Sequence, residues 1–298
     1  MKKRQKVMLG IPTMSNRITI QLAGILEAMR HSEKDSESEF DFKFLMEMGR
    51  SPVEYARNVL VGQFLRTDCE KLWFMDEDML PTSSVARLLY SDADIIAARM
   101  YKFDHPNPDA GTQVGLGLCA MTKASNGLFS PLMPSVGENS VQNCDAVGTG
   151  CTVITRRVLE DRRLWFPNIV AEINKPVVDG NVDCGTGDYA PAIFRTQRAP
   201  NGKGIMGEDI DFCVRAKALG YSIQVDLNAV CGHFKTIDVD QAGFLAQETV
   251  KRVLSGISTA DGKVFKLDPN TAFGEKALSY PSLDKSAPSV AAGAEAIQ

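Results

Sequence analysis

The sequence has no apolar run near the ~20 residues that a membrane-spanning helix requires, so a spanning helix is not expected. It also has no C-x-x-C pair. Its seven cysteines (Cys69, Cys119, Cys144, Cys151, Cys184, Cys213, Cys231) are odd in number. Cys119, Cys151, Cys213 and Cys231 lie in apolar runs, where a thiol acts as a small hydrophobe. Neither a disulfide framework nor a zinc ribbon is expected. A basic excess is lacking too: 33 Lys and Arg stand against 37 Asp and Glu, a net charge of −4. Four of the cations (Lys2, Lys3, Arg4, Lys6) sit in the first six residues, so the remainder is more acidic still. A duplex-binding surface normally needs the opposite balance, and the basic hexamer reads as a solvated tail. The stretch Val7–Ile11 is too short for a signal peptide and ends at Pro12. The expected setting is a reducing cytoplasm, bacterial or that of a phage host.

Several catalytic signatures are missing as well. There is no phosphate-binding G-x-x-x-x-G-K-[ST] loop, no G-x-S-x-G elbow and no H-E-x-x-H. Gly115-x-Gly117-x-x-Ala120 matches a loose dinucleotide fingerprint, but it does not join a first strand to a helix and is rejected. No internal repeat is present.

What remains is a 298-residue chain that is 44% hydrophobic and 23% charged, an ordinary globular composition. Val7–Ile11 reads as a buried parallel strand. A helix is predicted from about Arg17 to Met29, with Ile18, Leu22, Ile25, Leu26 and Met29 at helical spacing. Phe40, Phe42, Phe44 and Met46 alternate along a second strand. Ser51 as cap and Pro52 in the first turn open a helix over Val53–Leu65. Leu72–Met75 is a third strand running into Asp76-Glu77-Asp78, Pro81-Thr82-Ser83 starts a helix to about Tyr90, and Asp94–Arg99 is a fourth strand. This alternation predicts an α/β sheet with helices on both faces, whose ligands bind at the carboxyl ends of the strands.

Beyond it, one strand is predicted near Val114–Met121, and Gly148-Thr149-Gly150 precedes a strand at Cys151–Thr155 and a short helix, Arg156–Asp161. Asp179–Gly207 shows no period and reads as a long loop. A helix over Glu208–Leu219 ends at Gly220, strands follow at Ser222–Asp226 and Ala229–Cys231, and Gln241–Leu254 is a final amphipathic helix. The expected organisation is one domain over residues 1–240, with 241–284 a C-terminal helix and extension and 285–298 a disordered tail.

Three features carry candidate chemistry, each with a plainer reading. Asp76-x-Asp78 at a strand end suits a hard divalent cation, or is simply an acidic turn. Glu208 and Asp209, with Asp211, open a helix, where acidic residues also favour the dipole. His233, one of three histidines, closes a strand 24 residues after Asp209, as a metal ligand or as a structural residue.

Taken in order, these motifs resemble a known family. Ile11-Pro12-Thr13, Arg57-Asn58 and Trp73-Phe74-Met75-Asp76-Glu77-Asp78-Met79-x-Pro81 look like the nucleotide-sugar half of a GT-A glycosyltransferase. Gly148-Thr149-Gly150-Cys151 and Gly207-Glu208-Asp209-Ile210-Asp211-Phe212-Cys213 resemble its acceptor half. The chain is most similar to the family 2-like branch with its small phage and bacterial members, over about residues 6–235. The resemblance implies a Rossmann-like α/β fold with a mixed, mostly parallel sheet, a donor half over about 6–100 and an acceptor half over about 101–240. It implies that Pro12, Thr13, Arg17, Glu47, Arg57, Asn58, Asp76, Glu77, Gly148, Thr149 and Gly150 line the donor. Asp76, Asp78 and His233 would hold Mn²⁺ or Mg²⁺, and Asp209, with Glu208 second, would be the base. Glu77 makes the metal motif unusually acidic, which leaves the Asp76 and Glu77 roles interchangeable.

The implied activity is transfer of a sugar from a nucleotide-diphospho-sugar, UDP-linked, to an acceptor hydroxyl with inversion. A nucleotidyltransferase is the alternative, weakened because Gly10-Ile11-Pro12-Thr13-Met14 lacks a basic glycine-rich phosphate loop. A non-catalytic nucleotide-sugar-binding protein is a third. The final helix is not strongly basic, which favours a soluble acceptor: a glycan, a protein, a small molecule or a hydroxymethylated base in DNA. For that last case Arg195, Arg198, Lys203 and the N-terminal hexamer are the available cations, and solvated loop charges explain them equally. The sequence does not specify an oligomeric state.

Overall fold

The chain was analysed as a computed structural model, which describes residues 3–15, 17–32, 35, 37–48, 52–104, 115–125, 127–133, 140–166, 177–178, 181–183, 189–198 and 205–234. Contacts divide the chain into two units, Met1–Thr236 and Ile237–Gln298. The predicted final helix, the 241–284 extension and the 285–298 tail lie outside the described residues. Among those residues no helix is long and apolar enough to cross a membrane.

Eight strands build the main sheet: β1 (Gln5–Thr13), β2 (Phe40–Met48), β3 (Lys71–Met75), β4 (Met79–Pro81), β5 (Ile95–Arg99), β6 (Val141–Asn143), β7 (Cys151–Thr155) and β8 (Ile223–His233). Its order is β6-β8-β5-β7-β3-β1-β2, with β4 paired to β8. β1, β2, β3, β5 and β8 share one direction, while β7 runs antiparallel between β3 and β5. The helices are α1 (Ile20–Ser32), α2 (Val53–Leu65), the short α3 (Arg156–Leu159) and α4 (Glu208–Ala218), with a 3-10 helix at Ser83–Tyr90. This is the expected α/β class with a mostly parallel central sheet.

The continuous apolar runs are explained by burial on both faces. Val7, Leu9, Leu72, Trp73, Phe74 and Met75 are fully buried. α2 is buried nearly all round, because the sheet covers one side and the Tyr189–Pro191 segment another. That leaves Arg57 and Asn58 inside the protein. Gly220 ends α4 in the left-handed region (φ 91°), as its place after the helix predicts.

Several boundaries move for local reasons. α1 starts at Ile20 rather than Arg17, because the Thr19 hydroxyl caps it by accepting from the Leu22 amide at 3.2 Å. α2 is capped by Pro52 without a side-chain hydrogen bond, and Ser51 falls outside the described residues. The two strands expected near the chain's carboxyl end are one strand, β8, whose register shifts between Asp226 and Val230. There Asp226 accepts from the Asn228 amide (2.9 Å) and from Arg87 Nε (2.8 Å). The strand predicted at Val114–Met121 is two, Gly115–Leu118 and Ala120–Lys123. The 179–207 segment is not structureless: Val177–Val178, Asn181–Asp183 and Tyr189–Pro191 form a small antiparallel sheet, and Gln197–Arg198 pairs with Ile205–Met206.

Candidate functional site

The parallel strands bring their carboxyl ends to one edge of the sheet, and the reversed direction of β7 brings its beginning there too. Cys151 stands opposite Met75, and the Asp76 amide donates to the Gly150 carbonyl at 2.8 Å. The sequence Gly148-Thr149-Gly150 therefore lies against the acidic turn that ends β3. A Cβ at Gly150 would stand 3.3 Å from Asp76 Oδ2 and 2.6 Å from the Met79 methyl, so only glycine fits without displacing them. A Cβ at Gly148 would stand 3.6 Å from Asp209 Oδ2. Two candidate regions far apart in sequence thus meet across these glycines. The Thr149 hydroxyl is buried, with no hydrogen-bond partner among the described residues.

Arg57 is the hub. Its Nη2 donates to both oxygens of Asp76, each at 3.0 Å, and its Nη1 to Glu208 Oε1. The side chain is 5% exposed. Burial opposes its charge, but Asp76, Glu208 and Asp209 outweigh that and raise its pKa. Next to Glu208, the Asp209 carboxyl is pushed up to about 6, first by burial and then by the Glu208 charge, with Arg57 pulling the other way. Asp209 also accepts from the Ile210 amide at 2.8 Å.

The remaining residues of the acidic turn divide in role. Glu77 accepts from the Thr13 hydroxyl, the Met14 and Ser15 amides (both 3.1 Å) and the Ser15 hydroxyl (2.8 Å). Burial opposes its ionisation, yet these donors win and lower its pKa. Its carboxylate ties the loop after β1 to the end of β3. Asp78 faces the end of β8, with Oδ2 3.0 Å from His233 Nε2, and the Phe234 amide donates to the Asp78 carbonyl at 2.8 Å.

Pro12 and Thr13 are buried at the end of β1, and Glu47 stands opposite Pro12 in register on β2. Arg17 is exposed in the segment leading to α1. Asn58 does other work: its amide nitrogen donates to the Phe194 carbonyl (2.9 Å), and its oxygen accepts from the Ile193 (3.0 Å) and Phe194 (2.9 Å) amides. It fixes the chain that leads toward α4.

Among the described residues no group of three or more His, Cys, Asp or Glu side chains is arranged to hold a metal. Of the three expected metal ligands, Asp78 and His233 stand together, while both oxygens of Asp76 accept from Arg57. One carboxylate and one imidazole, completed by substrate phosphates and water, fit a hard divalent cation better than a site closed by protein alone.

Sequence reasoning missed the support beneath α4. Asp211 is 1% exposed, accepts from Arg215 Nε at 2.8 Å and is also bonded to Gln197. The guanidinium carbons of Arg195 and Arg215 lie 3.8 and 4.2 Å from the Phe166 ring centre. Arg195, considered for nucleic-acid contact, is half-buried in this network. The i,i+4 spacing of Asp211 and Arg215 was the available signal. No disulfide joins any two of the described cysteines, and burial pushes the Cys144 thiol up to about 12.

No protein-family model and no curated protein matches the sequence. Solved structures of similar shape include A197 from STIV, at 15% identity and TM-score 0.45, covering 78% of this chain and 87% of that one. GalNAc-T7, solved with UDP, GalNAc and Mn²⁺, is 10% identical at TM-score 0.39, over 80% of this chain and 45% of that one. The inositol-1-phosphate CTP transferase from T. maritima is 11% identical at TM-score 0.35, over 86% and 98%.

Proposed function

We propose that the protein is a metal-dependent glycosyltransferase of the GT-A type. It moves a sugar from a UDP-linked donor to an acceptor hydroxyl with inversion, in a cytoplasmic setting. The observation that carries this reading is the meeting, at one sheet edge, of an Asp78–His233 pair with a half-buried carboxylate of raised pKa, Asp209.

Pro12, Thr13, Glu47 and Arg17 border the nucleotide, with Asp76 on its sugar-ribose side. Asp78 and His233 would hold Mn²⁺ or Mg²⁺ beside the diphosphate. When bound there, the cation neutralises charge on the departing diphosphate as a Lewis acid. Gly148-Thr149-Gly150 forms the wall between donor and acceptor.

Asp209 serves as the base. Glu208 is held by Arg57, whereas a carboxyl with a pKa of about 6 is mostly ionised at neutral pH and still basic. As the acceptor oxygen bonds to the anomeric carbon, the bond from that carbon to the diphosphate oxygen breaks. The hydroxyl proton passes to Asp209, a step typically worth roughly 10²–10⁴-fold. The acceptor is a soluble glycan, protein, small molecule or hydroxymethylated base.

The test is incubation with a panel of UDP-sugars and Mn²⁺, scoring UDP release and product mass, for the native protein and the Asp78→Ala and Asp209→Asn variants. Both variants are expected to lose turnover, and undiminished turnover in them defeats the reading. Pyrophosphate release from a nucleoside triphosphate and a sugar phosphate would identify a nucleotidyltransferase instead.

A further inference from the structure

A single buried guanidinium is shared by carboxylates from the two halves of the chain. Asp76 follows β3, and Glu208 opens α4 directly before Asp209. Arg57 spends Nη2 on the first (3.0 Å to each oxygen) and Nη1 on the second. The Asp76 side chain is 24% exposed and that of Glu208 13%, so water competes weakly for either bond. Arg57 Nε is buried with no hydrogen-bond partner among the described residues, so these carboxylates set where the planar fork sits. One residue further along α2, Asn58 fixes the Ile193–Phe194 backbone. The carbonyl of Ile193 in turn accepts from Arg215 of α4. The base of α4 is thereby anchored independently, and what Arg57 adds is a charge held in common.

Two carboxylates drawing on one positive charge compete for it, and a rigid fork cannot turn toward one without loosening the other. We infer that Arg57 is a positioning residue that couples the donor side to the acceptor side: when Asp76 is engaged elsewhere, Arg57 closes more firmly on Glu208 and orders the first turn of α4 around Asp209. Donor contact with Asp76 then prepares the base. The donor half of this inference rests on the function proposed above; the competition between Asp76 and Glu208 does not.

The test is a ligand-free double-mutant cycle read by hydrogen exchange over residues 207–213. The Ile210 amide there is held by Asp209, and the Asp211 amide by the Gly207 carbonyl. Asp76→Asn removes the competing charge and is expected to slow exchange there. Arg57→Gln is expected to speed it, and the pair together to match Arg57→Gln alone. Contacting charged groups couple at a level equivalent to roughly two- to a hundredfold in exchange.

Arg57→Lys keeps the charge but not the fork. It should recover the thermal midpoint lost in Arg57→Gln without restoring the response to Asp76→Asn, which a purely structural role would restore. It also carries the cycle if Arg57→Gln does not fold. An Asp76→Asn effect of the same size with and without Arg57, or no effect at all, overturns the coupling. Calorimetric titration of UDP with Mn²⁺ into the native protein reads the donor half separately. No binding there removes the donor reading and leaves the competition standing.

Discussion

Asp209→Asn should make the protein more stable at neutral pH while abolishing its turnover. In the folded chain the Asp209 carboxyl titrates at about 6 against an ordinary 3.8, because burial and the Glu208 charge disfavour its ionised form. That difference corresponds to at most about 3 kcal/mol. Between 3.8 and about 6 the folded state keeps a proton that the unfolded chain has released. The folded state binds more protons there, so the Asp209 contribution to stability falls as pH rises through the window and levels off above it. An asparagine carries no such charge and still offers an oxygen to the Ile210 amide. The assay is urea denaturation of both proteins at half-unit steps from pH 4.5 to 7.5, with a chelator to exclude cations. The stability of the variant relative to the native protein should climb across the window and plateau above it. A flat difference, or one that declines with pH, refutes the assignment of a strained half-buried carboxylate and removes the main reason for choosing Asp209 over Glu208 as base.

Other perturbations follow from contacts elsewhere in the site. Asp78→Asn and His233→Ala should each weaken Mn²⁺ binding in the presence of UDP by tenfold or more (about 1.4 kcal/mol, read by calorimetry) while leaving the circular dichroism spectrum unchanged. Gly150→Ala puts a methyl 3.3 Å from Asp76 Oδ2 and against the flexible end of Met79, which can turn aside, so it should cost about 1 kcal/mol or less in denaturant titration and act mainly by lowering activity. Gly24→Ala is its contrast. Nothing lies within 4 Å of a Cβ there, in the middle of α1, so that change should stabilise by about 0.5–1 kcal/mol. Asn58→Ala leaves the Ile193 and Phe194 amides and the Phe194 carbonyl without their buried partner, and should destabilise by about 2–4 kcal/mol in the same titration.

The elements of the first hundred residues were legible in sequence because their signals are local. A buried parallel strand is a run of apolar residues, and α2 falls at the predicted Val53–Leu65, with Pro52 marking its start. What could not be read were the choices made by distant partners. The bulge that joins two predicted strands into β8 depends on Arg87 reaching Asp226 from the 3-10 helix. The family resemblance implies donor-facing roles for Asn58 and Glu77, and it carries no information on what else they bond. Their hydrogen-bonding capacity is taken up by backbone groups 135 and 63 residues away, contacts that no local pattern encodes. The ribbon pairing Gln197–Arg198 with Ile205–Met206 escaped for a different reason: its strands are two residues long, too short for any period to show.

The direction of β7 decides whether the candidate residues form a site at all. Had Cys151–Thr155 run parallel to β3, Gly148-Thr149-Gly150 would lie at the opposite edge of the sheet, roughly 15 Å away for a five-residue strand. Because it is antiparallel, the chain re-enters the sheet beside Asp76, and the glycines leave room for carboxylates from both sides. α4 then begins at the same edge, so its first-turn acids meet Arg57 rather than solvent. The acidic balance of the chain acquires a local meaning from this. Asp76, Glu208 and Asp209 draw on one buried arginine, leaving a net negative cluster with Asp78 and His233 in the same turn-and-strand-end assembly. Such a cluster repels a bare diphosphate and accepts one that arrives with a divalent cation. On the proposed function this charge arrangement predicts metal-dependent nucleotide binding, and a nucleotide binding as tightly in chelator as in Mn²⁺ would contradict it.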